Sequence, residues 1–79
     1  MDIEKISFIA QEISFTFEDT FHIKEKKDLF IAIFDKYLTA VDPGVTTDPY
    51  DAIIILGKKN PEAFDSMLKE IKEKELVSL

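Results

Sequence analysis

The side chains able to do chemistry in this sequence are few and scattered. His22 is the single histidine, and cysteine is absent. A nucleophile–base pair needs a second group within hydrogen-bond reach, and a structural zinc site needs about four nitrogen or sulfur ligands. Neither partner set stands at a suitable spacing from His22, which reads as a polar residue at the junction of the first two elements. The run Asp42-Pro43-Gly44-Val45-Thr46-Thr47-Asp48-Pro49-Tyr50-Asp51 gathers three carboxylates and two threonine hydroxyls around one glycine. A hard cation such as Ca²⁺ asks for about six to eight oxygens. The acids here neither alternate before the glycine nor end on a glutamate, as an EF-hand loop requires. Turn formation and helix capping account for each of them.

Glu18 and Asp19 are adjacent and could in principle divide acid and base roles. A chain of 79 residues rarely encloses the cleft that would push their pKa values apart. No glycine-rich loop is present to cradle a phosphate. The expectation is a non-enzymatic protein with no catalytic residue, no metal, no cofactor and no small-molecule substrate.

Composition narrows the partners. Sixteen acidic residues against ten lysines, with no arginine, give a net charge of −6 and a pI near 4.6. Without arginine there is no rigid fork for phosphate or guanine. An acidic surface also forfeits the counterion release that drives nucleic-acid affinity. Direct binding of nucleic acid is therefore not expected. The start, Met1-Asp2-Ile3-Glu4-Lys5, lacks the basic-then-apolar pattern of a secretory signal. The unbroken apolar runs, such as Leu29 to Phe34 and Ala52 to Leu56, fall far short of the ~20 residues that span a bilayer. These features suggest a cytoplasmic protein without a membrane partner.

The elements that must position any site are helical. Ile3, Ile6, Ile9, Ala10, Ile13, Phe17 and Phe21 recur at helical spacing, with Asp2 as N-cap and Glu4 in the first turn. The alternation of Ile13, Phe15, Phe17, Phe21 and Ile23 also fits a strand–turn–strand. An isolated hairpin is marginal, however, and its bend would lack Gly or Asn. A second helix carries Leu29, Phe30, Ile33, Phe34, Tyr37, Leu38 and Val41. Its broad apolar face, widened by Ile31, marks it as the central helix. It stops at Asp42-Pro43-Gly44. The third starts with Asp48 as cap and Pro49 in the first position, and stops at Gly57, with Lys58 and Lys59 facing its C-terminal dipole. The fourth opens on Asn60-Pro61 and presents Phe64, Met67, Leu68 and Ile71. Its other faces are solvated charges, including a Glu70–Lys74 pair. The tail Leu76-Val77-Ser78-Leu79 either docks on the core or frays. The expected fold is all-α, one domain over residues 1–79: a compact bundle of four helices at about 2–19, 23–41, 48–56 and 60–76.

Phe8 and Phe15 break the pattern, because they lie opposite the apolar stripe of the first helix. Either another part of the chain covers them, or they meet another molecule. Rimmed by Glu4, Glu12 and Glu18, with Asp19 close by, they resemble an interface core inside a polar rim. Residues 1–23 hold five acids against one lysine, whereas residues 24–41 hold three acids against four lysines. The sequence thus points to a protein-interaction module using Phe8, Phe15, Glu12, Glu18 and Asp19. Its partner would be another protein or a second copy in a symmetric homodimer. One alternative is an acidic inhibitor that blocks the basic site of a nuclease or nucleic-acid-binding protein through Glu12, Glu18, Asp19, Asp42, Asp48 and Asp51. The silhouette is similar in shape to small acidic immunity-type proteins, although no motif supports the likeness. Another alternative is an assembly component of a phage or mobile element.

Overall fold

A computed structural model of the chain describes residues 2–41 and 49–78. Within them are four helices: α1 (Ile3–Asp19), α2 (Lys24–Tyr37), α3 (Tyr50–Lys59) and α4 (Pro61–Glu73). The described residues contain no strand. The hairpin reading of residues 13–23 is thereby excluded: α1 runs unbroken to Asp19, and a turn over residues 20–23 leads into α2.

Local capping explains where the helices begin and end. Asp2 accepts a hydrogen bond from the Glu4 amide at 3.0 Å, and Asn60 accepts one from the Ala63 amide at 3.2 Å, with Pro61 directly after it. Each satisfies a donor that the first helical turn leaves unpaired. The expected caps Asp42-Pro43-Gly44 and Asp48 lie outside the described residues. Helix α2 ends earlier than expected, at Tyr37, with a turn that carries the chain on to Val41. Helix α4 also ends early, at Glu73. Glu75 takes a left-handed conformation with φ 56°, the Glu75 amide donates to Lys72 O, and the Leu76 amide donates to Ile71 O at 3.1 Å. This is a Schellman stop with glutamate where glycine is usual. It turns Leu76 and Val77 back into the core, where they are 5% and 8% exposed, so the tail docks.

Two sequence expectations need correction. Gly57 does not stop α3; it lies buried inside the helix, which continues to Lys59. A Cβ at this position would stand 2.9 Å from Ile6 Cγ2, so the missing side chain is what lets α3 approach α1. Nor is α2 the central helix. The short α3 packs against both α1 and α4, while α4 packs on to α2. Its consecutive isoleucines suit this place. Ile53 is fully buried, Ile54 is half-buried against the core, and Ile55 is half-buried. Helices this short hold together through an amphipathic face more than through intrinsic propensity.

Helix α2 meets α1 through aromatic rings. Phe17 on α1 stands edge-on to Phe30 and Phe34 on α2, with centroids 5.5 and 5.2 Å away. Such pairs contribute about 0.5–1.5 kcal/mol each beyond burial. Phe21 joins the cluster edge-on from the connecting turn, with Lys27 Nζ 4.5 Å from its ring centre. It was expected in the core but is 42% exposed, because α1 has ended before it. Ile3, the first residue of α1, and Leu29, within α2, were also expected inside but are 44% and 37% exposed.

Candidate interaction surface

Helix α1 has two unlike faces. Its inner face carries Ile6, Ile9, Ala10, Ile13, Ser14 and Phe17, all buried. At about 100° per residue, Phe8 and Phe15 fall on the opposite side, within about 20° of one another and about 10 Å apart along the axis. Phe8 is 57% exposed and Phe15 54%. Of the seven phenylalanines, Phe17, Phe30, Phe34 and Phe64 are buried, and Phe21 is held by its ring and cation contacts. Phe8 and Phe15 have no ring or cation contact among the described residues. Neither α4 nor the tail covers them, and the helix does not end early enough to turn Phe15 inward.

Grooves flank this aromatic ridge. Beside Phe15 lies a depression of about 390 Å³ walled by Gln11, Ser14, Glu18 and Tyr50. Glu18 is the charged residue of that wall. Ser14 is 9% exposed, and its Oγ is buried with no hydrogen-bond partner among the described residues. Leaving a buried hydroxyl unpaired costs about 1–3 kcal/mol. Beside Phe8 lies a second groove of about 440 Å³, where Ile9, Leu68 and the stems of Lys5 and Lys72 give a mainly apolar lining, with Glu12 and Ser78 at its edges.

The rim is acidic. Helix α1 bears Glu4, Glu12, Glu18 and Asp19 against Lys5 alone. Glu4, Glu18 and Asp19 are exposed, and Glu12 is half-buried. The five residues singled out from the sequence therefore share one helix: Phe8 and Phe15 form the ridge, with Glu12, Glu18 and Asp19 along its sides. Asp51 is exposed at the start of α3, next to the Tyr50 wall of the Phe15 groove, whereas Asp42 and Asp48 lie outside the described residues. Ser14 and Tyr50 were missed. The signal for Ser14 was a hydroxyl on an otherwise apolar stripe, which spacing alone reads as a tolerated small residue.

A different polar site fastens the scaffold. Glu70, expected among solvated charges and paired with Lys74, instead accepts hydrogen bonds from the Tyr37 hydroxyl and from Lys36 Nζ, the latter at 3.0 Å. The bond from Tyr37, then that from Lys36, holds the Glu70 carboxyl below the usual glutamate range. The same carboxylate pushes the Tyr37 phenol above its usual range, chiefly by accepting its hydrogen bond. This trio joins α2 to α4. His22 is exposed. Among the described residues, no group of His, Cys, Asp and Glu could hold a metal ion, and no helix is long and apolar enough to cross a membrane.

Comparison with protein-family models, with curated proteins and with solved structures finds no match for this chain.

Proposed function

We propose that this chain is a non-enzymatic protein-interaction module that docks a partner protein on the outer face of α1, around Phe8 and Phe15. One observation carries the reading: two rings more than half exposed stand about two turns apart on the face of α1 turned away from the core. Exposed aromatic pairs inside a polar rim are the anchors that most often dominate binding energy. The flanking grooves supply the concave surface against which a partner's side chains would pack.

A symmetric homodimer through the same face would set Glu4, Glu12, Glu18 and Asp19 against their own copies. Like charges facing each other across an interface cost several kcal/mol, so the rim favours a different protein over a second copy. The acidic-inhibitor reading shares Glu12, Glu18 and Asp19, adds Asp42, Asp48 and Asp51, and names the basic site of a nuclease or nucleic-acid-binding protein as the target.

A photoactivatable phenylalanine analogue at position 15, expressed in the native host, tests the proposal. A discrete adduct to another protein, lost with Phe8→Asp and not formed from position 62, is the expected outcome. Absence of any adduct from position 15, or equal adducts from both positions, overturns it.

A further inference from the structure

We infer that the groove beside Phe15 receives a lysine or arginine side chain from a basic, apolar-anchored segment of the partner protein. This rests on the docking role of α1 proposed above and names the chemistry of what docks. The groove combines three features that suit a long cationic side chain. Phe15 offers an exposed ring for the aliphatic stem and for a cation–π contact. Glu18 stands in the wall as its charged residue, with Gln11 beside it in the lining. Ser14 belongs to the same wall, and its Oγ is buried and unpartnered.

That hydroxyl is the independent pointer to a ligand. A serine this deep on a helix ordinarily bonds back to the carbonyl four residues earlier, and Ser14 does not. Ser14 lines the groove, so a cation seated there would stand beside a hydroxyl whose lone pairs are unused. A neutral apolar occupant would leave it unpaired. The charge balance of the helix selects the sign of the partner. Four acids against one lysine on α1 repel an acidic segment and repel a second copy of this face. The groove beside Phe8, mainly apolar, would take an aliphatic anchor about two helical turns away on the same partner segment.

The test measures binding of the intact chain to two short amphipathic peptides, one of leucine and lysine and one of leucine and glutamate. The lysine peptide is expected to bind at least about tenfold more tightly, and to weaken steeply with added salt. Glu18→Gln should reduce its affinity by about three- to tenfold, and Ser14→Ala by about threefold while raising the melting temperature. Glu25→Gln and Glu62→Gln, which remove the same charge elsewhere, should change affinity less than about twofold. Equal binding of both peptides, still dependent on Phe15, overturns the basic-partner inference and leaves the docking face standing. Equal weakening by Glu25→Gln and Glu18→Gln also overturns it, since attraction would then be to net charge alone. Binding of neither peptide overturns it as well, and the crosslinking experiment decides the docking face separately.

Discussion

Phe15 and Phe17 stand two residues apart on one helix and meet opposite fates. Phe17 is 1% exposed and touches the rings of Phe21, Phe30 and Phe34. Phe15 is 54% exposed and borders a groove that holds an unpaired hydroxyl. The apolar groups of the inner face of α1 are satisfied by their own chain: rings meet rings, and Gly57 lets α3 close on Ile6. The outer face leaves its two rings uncovered, and the unpaired Ser14 hydroxyl lies where the buried set meets the groove beside Phe15. Folding alone accounts for the first face and offers no reason for the second, since a surface helix normally carries a single apolar stripe.

Substitutions at the inner face sharpen this contrast, starting with the largest effect. Phe17→Ala should cost about 3–5 kcal/mol, read from urea denaturation, because it removes the ring that ties α1 to α2. A loss below about 1 kcal/mol would mean that the aromatic cluster is not the junction between them. Gly57→Ala should come next. Alanine usually gains about 1 kcal/mol over glycine inside a helix, but here its Cβ meets Ile6 Cγ2 at 2.9 Å. Overpacking of about 1–3 kcal/mol should outweigh the gain. Because Ile6→Ala removes the clashing atoms, the double variant should be more stable than the two single losses added together; simple additivity would deny the close approach.

The tail gives a smaller effect of opposite sign. Glu75→Gly should stabilise the chain by about 1 kcal/mol by relieving the left-handed conformation at φ 56°. It should also hold Ser78 more firmly at the edge of the groove beside Phe8. A destabilised variant would show that Glu75 contributes a contact worth more than its strain.

The polar clasp between α2 and α4 should have the mildest effect, and its pH dependence has a definite sign. The Glu70 carboxyl lies below its usual range because it accepts from Tyr37 and Lys36. Its contribution is therefore complete above the usual glutamate range and lost as pH falls through its depressed value. The Tyr37 phenol is raised, so its share is complete below the usual tyrosine range and lost as pH rises through the raised value. Tyr37→Phe should lower stability slightly at neutral pH and flatten the acid limb of the profile. An unchanged acid limb would remove the clasp from the account.

Much of the scaffold was legible in the sequence because the signals are local. Asp2 and Asn60-Pro61 mark helix starts through short-range hydrogen bonds, and the inner stripe of α1 follows directly from helical spacing. Gly57 was misread because a stop signal and a close-approach glycine look alike until the opposing Ile6 is known. The central place of α3 was hidden for a similar reason: ten residues show a short apolar helix but not how many neighbours it touches. Glu70 sits in an alternating charge pattern that predicts solvation, and only the position of Tyr37 across the helix pair reveals its bonds. The site divides in the same way. Phe8, Phe15 and their acidic rim follow from spacing on one helix, whereas the Ser14 hydroxyl becomes informative only once its missing partner is known.

The central claim is that the outer phenylalanines of α1 contribute nothing essential to folding and belong to an encounter with another molecule. The urea midpoint of the Phe8→Asp, Phe15→Asp double variant tests it most directly. The account expects a stability within about 0.5 kcal/mol of the parent, as for exposed positions outside the core. A loss of several kcal/mol would contradict it, because the two rings would then be part of what holds the four helices together.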